Sequence, residues 1–357
     1  MSPIQRAIQR PLQSNARPAG VLQCLNAAGT IKQRGAALLA AMLTVTLVAT
    51  FASAAMWQQW RAIEVETAER DRVQSAWLLI GALDWSRLIL REDGRSGGAD
   101  HLAEPWAIPL QEARLSTFLA AEKNVSQVDD ASTDTTDAFL SGQILDLQAR
   151  LNMTNLVEGG TVQPQVLQQF TQLFEQLGLP LQQLAQLVEA LQRAQANAGA
   201  TGTRTQDSNA PLMPVSESQL GWLGVPPETV AALAPYVAVL PTRTPVNLNT
   251  AGLEVLMAAI DGLDSATAQK IMVARETQHF RLLADVRTLV GPALAIDERN
   301  HAVASAYFEV QGRLRLGNTV VQERSVVRKQ GIEVTTLRRE RGAFGDGNTS
   351  MAIPGRL

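Results

Sequence analysis

An unbroken apolar run of 21 residues, Ala36 to Met56, entered through Lys32-Gln33-Arg34-Gly35, constrains this chain more than any other feature. At about 1.5 Å of rise per residue, a helix of that length spans roughly the 30 Å hydrocarbon core of a bilayer, so a single pass over 36–56 is expected. Residues 1–63 contain no Asp or Glu, and Trp57 and Trp60 follow the run. Cations before it and interfacial aromatics after it place the N-terminus in the cytoplasm and the body on the far side. Ala52-Ser53-Ala54 mimics a signal-peptidase site, so cleavage there and an uncleaved anchor both stand as readings.

The remainder has an ordinary globular composition, 46% hydrophobic and 18% charged in 357 residues, enough for one large core or two ordinary ones. Five of the 31 cations lie in residues 1–35, which leaves 26 against 34 acids in the rest. An acidic body is a poor nucleic-acid binder, because affinity for phosphate depends on cations. The one cysteine, Cys24, lies in the basic leader, so a chain cleaved after it holds its fold by packing or by ions.

From Trp60 to about Leu90 the sequence stays helix-compatible without proline. Val73, Trp77 and Ile80 recur at i, i+4 and i+7, while Glu64, Glu66, Glu69, Arg70, Asp71 and Arg72 suit a solvated face. One continuous helix is expected, half in lipid and half packed on a globular head. Arg91 to Gly98 should break it at Asp93-Gly94 and Gly97-Gly98. Ala138 to Leu156 reads as strand with loop. From Ala304 to Arg339 the pattern alternates, with Phe308, Val310, Leu314 and Leu316 on one face and Glu309, Gln311, Arg313 and Arg315 on the other. After a turn at Gly317-Asn318 come strands at Val320 to Arg328 and Ile332 to Leu337. Between these β regions the pattern is helical: Val166 to Gln195 broken at Gly178 to Pro180, a loop from Asn197 to Pro214, Ser216 to Leu223, Pro227 to Leu233, and a group from Ala251 to Ala306. A helical insertion therefore divides one antiparallel sheet into two sequence halves.

Four ordered pieces carry a resemblance: Gly142-Gln143-Ile144-Leu145-Asp146-Leu147-Gln148, Leu151-Asn152-Met153-Thr154-Asn155-Leu156, Pro245-Val246-Asn247-Leu248-Asn249-Thr250-Ala251, and Ser305-Ala306-Tyr307-Phe308. With the Gly35/Ala36 junction before them, the chain resembles the K-type minor pseudopilins of type II secretion. The resemblance implies an α+β, pilin-like fold, with a long N-terminal helix packed on an antiparallel sheet and a large all-helical domain inserted into that sheet. It implies a leader over 1–35, cleavage by the prepilin peptidase between Gly35 and Ala36, and N-methylation of Ala36. The pilin-like domain would comprise 57–156 and 304–339, the insertion 157–303, and a flexible tail 340–357. It also implies a place in the bacterial inner membrane with a periplasmic body, at the tip of the pseudopilus with minor pseudopilins I and J. There such a subunit caps the filament and helps to initiate assembly for export of folded proteins. Most pseudopilins carry Glu at the fifth mature position; here it is Ala40. An unpaired charge at the bilayer centre costs at least about 2.5 kcal/mol, so a subunit with none above it does better without one.

The segment Asn247 to Asp264, with Arg275 and Phe280 beyond, resembles a helix-hairpin-helix unit. Asp264 stands where the second glycine would be, and Asp261 flanks Gly262, so a phosphate would meet two carboxylates. From Gly252 to Gly291 four cations, Lys270, Arg275, Arg281 and Arg287, face five acids; structural use is expected and no nucleic acid. K-type relatives often hold calcium through an acidic motif in the helical domain. Here Leu187 to Asn197 reads LVEALQRAQAN, and the loop beyond offers only Asp207 and Glu217. Hard cations want six to eight oxygens, so no metal or other cofactor is expected. Asp129, Asp130, Asp134 and Asp137, interleaved with Ser and Thr, read as a solvated loop. His101, His279 and His301 are the three histidines, no catalytic motif accompanies them, and His279 reads as helix-end packing. The competing readings are a membrane-anchored periplasmic protein of DNA uptake and an anchored enzyme.

Overall fold

The computed structural model describes residues 34–115, 138–198, 209–317 and 319–342, and divides into two units between Val65 and Glu66. The first unit holds the start of α1, a helix that runs Arg34–Ser96. Along its apolar run the side chains are exposed, Leu38, Leu43, Val48 and Phe51 among them. Such a surface is unfavourable in water and suits hydrocarbon. The hydroxyls of Thr44, Thr46, Thr50 and Ser53 donate to carbonyls three or four residues back, at 2.8–2.9 Å, which satisfies them inside the helix as lipid requires. Among the described residues α1 is the one helix long and apolar enough to cross a membrane.

The second unit continues α1 and then holds, in chain order, β1 (Leu110–Arg114), β2 (Ala138–Asp146), β3 (Leu151–Asn152), β4 (Val157–Glu158), β5 (Thr161–Val162), α2 (Pro164–Gln176), α3 (Leu181–Ala198), α4 (Pro227–Leu233), β6 (Val237–Ala238), β7 (Val246–Asn247), α5 (Leu253–Ala259), α6 (Ser265–Thr277), α7 (Leu283–Val290), β8 (His301–Ala302), β9 (Tyr307–Leu316), β10 (Thr319–Gln330) and β11 (Glu333–Arg341). One antiparallel sheet runs in the order β1-β2-β9-β10-β11. Asp146 faces Phe308 and Ala138 faces Leu316, so β2 and β9 are neighbours although residues 147–306 lie between them.

The alternation in β9 falls as its sequence dictates: Phe308, Val310, Leu314 and Leu316 are buried, while Gln311, Arg313 and Arg315 face the other side. Leu83 and Leu90 of α1 pack with Ile144, Phe308, Val310 and Val327, and Leu79 packs with Leu140 and Leu314. Burying each such leucine is worth about 1.5–3 kcal/mol. The packed stripe is therefore not the one that the spacing of Val73 and Trp77 picked out. Those two are 53% and 70% exposed. Trp77 stands two residues before Leu79, about 200° around the helix, and apolar residues line both sides there.

A second correction concerns the end of α1. Asp93-Gly94 does not break it; the helix continues to Ser96 and stops where Gly97 takes a positive φ of 65°. Gly94 serves close approach instead, since a Cβ there would run into the carbonyl of Gly331, in the turn between β10 and β11. The inserted helices bury their own core, with Phe170, Phe174, Leu187, Leu191, Leu256, Ile271 and Val286 at its centre. Helix ends at Val290, short of the Ala306 expected, because Gly291 at φ 87° and Pro292 stop α7 and leave an irregular return to β9.

Candidate functional site

The four sequence pieces singled out above meet in space. Asp146 closes β2 with a fully enclosed carboxylate: Oδ1 accepts from the Gln148 backbone N–H (2.8 Å), and Oδ2 accepts from Ser305 Oγ (2.6 Å), Thr250 Oγ1 (2.6 Å) and Asn247 Nδ2 (3.0 Å). Burial pushes its pKa up, and these donors pull the other way. The Gln148 amide donates to the Pro245 carbonyl (3.0 Å) and accepts from Ala306 N–H (2.7 Å). Asn155 pairs both ends of its amide with the Thr244 backbone, donating at 2.7 Å and accepting at 3.1 Å. Asn249 does the same with Phe280, at 2.9 Å each way, and Asn152 ties Leu240, Thr242 and Thr244.

A carboxamide offers a donor and an acceptor in peptide geometry, so it can substitute for a missing strand partner. That is why Asn and Gln, rather than Asp and Glu, recur where irregular backbone is buried. The result is a polar seam that seats the helical insertion on the sheet.

At one end the seam runs into an ion cluster. Ser305 N–H donates to Asp100 Oδ2 (2.6 Å), and the Lys329 ammonium donates to Asp93 (2.5 Å) and to Asp100. Glu104 Oε2 accepts from the His101 N–H (2.9 Å) and from Trp106 Nε1 (2.7 Å). Burial raises Asp100 to about 6 and Glu104 to about 7, while the bonded carboxylates raise Lys329 against the effect of its own burial. Beside the cluster the rings of His101 and His279 stack at 3.8 Å and 7°. His279 thus packs on a histidine from the loop after α1, a contact that no spacing in the sequence announces.

Asp93, Asp100 and Glu104 bring carboxylate oxygens within 4.8 Å of one another, the one such metal-competent group among the described residues. Lys329 already supplies the cation, so this set does not fit calcium. Nor does Leu187 to Asn197: it lies in α3, with Leu187, Leu191 and Ala194 buried and Glu189 as its only carboxylate. Asp129, Asp130, Asp134, Asp137 and Asp207 lie outside the described residues.

The hairpin acids have structural employment. Asp264 caps α6 through the Thr267 N–H (2.7 Å), and Asp261 accepts from Gln168 (2.7 Å) and Gln172 (2.9 Å) of α2. Arg275, lowered to about 10 by burial, donates to the carbonyls of Leu248 (2.9 Å) and Ala251 (2.7 Å) rather than facing solvent. His301 is buried, with Nε2 3.1 Å from the Ala259 carbonyl. Gly35, Ala36 and Ala40 stand exposed in the first turns of α1, with no atom within 4 Å of a Cβ at Gly35.

Sequence reading identified the motif residues but missed Asp100, Lys329 and the stacking of His101 on His279. Lys329 was findable, since it follows Val327 at i+2 in β10 and so points inward, where a lysine requires a carboxylate.

A bilayer-length helix, a sheet split by a helical insertion and a buried amide-rich seam define a structural class compatible with membrane anchoring. Family models described as type II secretion system protein K match residues 149–242 and 246–304. Type II secretion system protein K of Pseudomonas aeruginosa is 28% identical over 308 residues, 80% of this chain and 86% of that protein. The protein of the same name from Klebsiella pneumoniae is 27% identical over 347 residues, covering 88% and 98%. A chain in the crystal structure of the GspK-GspI-GspJ complex from the enterotoxigenic Escherichia coli type 2 secretion system shares the fold, with a TM-score of 0.59 at 18% identity. The alignment covers 78% of this chain and 99% of that one. The chain is thus similar to type II secretion system protein K over most of its length.

Proposed function

We propose that this chain is a minor pseudopilin of type II secretion: a structural, non-catalytic subunit at the tip of the pseudopilus, which caps the filament and helps to initiate its assembly. The observation that carries the reading is α1, whose apolar start is long enough for a bilayer and whose later half buries Leu79, Leu83 and Leu90 on the divided sheet. Under it the fold is pilin-like, with 57–156 and 304–339 forming the pilin-like domain and 157–303 the inserted helical domain. Residues 1–35 are a leader removed by the prepilin peptidase, and Ala36 becomes a methylated N-terminus. Residues 36–56 cross the inner membrane with the N-terminus cytoplasmic and the body periplasmic. The apolar residues that α1 leaves exposed beyond the membrane segment, Val73, Trp77 and Leu88, are the face offered to partner helices. Minor pseudopilins I and J are those partners, by analogy with the complex in which the solved neighbour sits. Calcium plays no part, and neither does nucleic acid.

Mass spectrometry of the mature protein tests this directly. A methylated Ala36 is the expected N-terminus, whereas an intact leader or a cut near Ala54 contradicts the reading. A Gly35 substitution that blocks processing should abolish secretion; an anchored enzyme would keep its activity as a precursor.

A further inference from the structure

The loop after α1 is gripped from the sheet and from the insertion at once. On the sheet side Lys329 of β10 donates to Asp100. On the insertion side Asp100 N–H donates to the Val303 carbonyl (2.9 Å) and Asn247 Nδ2 donates to the Asp100 carbonyl (3.1 Å). Next to these bonds the ring of His101 lies flat on that of His279, which stands between α6 and α7. Two features of the contact require His101 to be neutral. At 3.8 Å and 7° the rings meet face to face, so charge on both would be repulsive. His101 Nδ1 also accepts from the Ala103 backbone N–H (3.3 Å), which leaves the ring proton on Nε2. A second proton, on Nδ1, would turn this acceptor into a donor aimed at a donor. Both rings are half-buried. Burial and His279 lower the pKa of His101 from its ordinary 6.5, with Asp93 pulling the other way. The other charged groups around the pair are Asp100 and Glu104 of the same loop and Lys329 of β10, while Glu276 and Arg281 flank His279 in sequence. As pH falls, Glu104 (about 7) and then Asp100 (about 6) take up protons, and Lys329 keeps its charge. The negative charge that could steady an imidazolium therefore shrinks over the interval in which one would form.

We propose that the stacked His101–His279 pair is an acid-released latch: near neutral pH it seats the turn between α6 and α7 on the loop after α1, and a proton on His101 frees that turn. The folded ring binds its proton less readily than an exposed imidazole, so the contact is complete above pH 6.5 and is lost as pH falls. Asp100 and Glu104 act in the opposite direction, because the fold holds their protons more tightly. Mutation therefore separates the two effects. The latch needs only the contact between loop and insertion, and it stands apart from the α1 face proposed for helix partners.

Hydrogen–deuterium exchange of the purified full-length chain in detergent tests this, corrected for pH with an unstructured peptide of the same sequence. Protection of residues 276–282 should fall several-fold between pH 7.5 and pH 5.5. The ceiling is about tenfold, the limit for one imidazole of ordinary pKa over that interval. Residues 187–194, in the buried part of α3, should keep their protection and so report that the fold as a whole is intact. His101→Asn, whose Oδ1 can accept from the Ala103 N–H without titrating, should remove the pH dependence. His279→Phe, which keeps a stacked ring but no second charge, should reduce it. Glu104→Gln should keep or enlarge it. Equal protection at the two pH values, a fall shared by α3, a fall that survives His101→Asn, or one abolished by Glu104→Gln overturns the proposal. Should His101→Asn fail to fold, His279→Phe decides, and an undiminished fall there rejects the latch.

Discussion

Lys329 is the residue on which most charge converges. Its side chain is 11% exposed between Asp93 and Asp100, which are 9% and 4% exposed, so its removal leaves two buried carboxylates without a counter-ion. Breaking such a pair costs about 3–5 kcal/mol. Lys329→Met should therefore lower the melting temperature steeply. Because Asp93, Asp100 and Glu104 would then lack a cation, added calcium should restore part of the loss, while the native protein should be indifferent to EDTA. A stable Lys329→Met protein would show that the cluster is spectator chemistry. Glu104 and Asp100 give a pH signature. Their native pKa values, about 7 and about 6, lie above the ordinary 4.5 and 3.8, so the folded state holds these protons more tightly than the unfolded. The stability they contribute is complete below about pH 4 and is lost as pH rises through 6 to 7. Glu104→Gln should flatten part of that decline, by an amount on the order of 1 kcal/mol after solvent screening, as denaturation at pH 5 and pH 8 would measure. The inward register of Lys329 was legible in the sequence, but its partners were not. A carboxylate in the loop after α1 and a lysine some 230 positions later have no periodic relation, and only the sheet brings them together.

At the scale of elements, the strands were far more legible than the helix that covers them. β9 announces its two faces because one side is uniformly apolar and the other polar, and a period of two admits only one choice. The later half of α1 has apolar residues on both sides, one set for the sheet and one left exposed, so periodicity could establish a helix but not its buried face. The exposed set makes a prediction: Trp77→Ser should leave the melting temperature of the isolated chain nearly unchanged and weaken co-purification with pseudopilins I and J. Equal co-purification would remove α1 from the partner surface. The glycines of close approach give the opposite behaviour. In a helix interior Gly→Ala ordinarily stabilises by about 1 kcal/mol. Gly94→Ala should instead destabilise, because the new methyl meets rigid backbone at Gly331. Gly312→Ala should cost less, since its methyl would meet the movable end of Leu79 at 2.7 Å. Urea denaturation of the two variants would rank them.

For the whole molecule, the split sheet was readable from the sequence, whereas the seam was visible only as scattered Asn and Gln. Their partners lie about 30 to 160 residues away and are mostly backbone groups, which carry no sequence identity. On the proposed reading, Ala40 bears on the intact assembly rather than on the fold. Ala40→Glu should leave folding unaffected and should either move the subunit into the filament shaft or abolish tip function; unchanged assembly removes the charge argument. The order of the strands also governs biogenesis. Since β2 pairs with β9, the centre of the sheet cannot form until residues 307–316 have been synthesised and have reached the compartment where the body folds. The inserted helices, whose contacts are more local, have every opportunity to fold first. A chain truncated before β9 would then display a folded helical domain beside an uncovered Leu79, Leu83 and Leu90, a surface that marks an unfinished subunit for proteolysis before it can enter a filament.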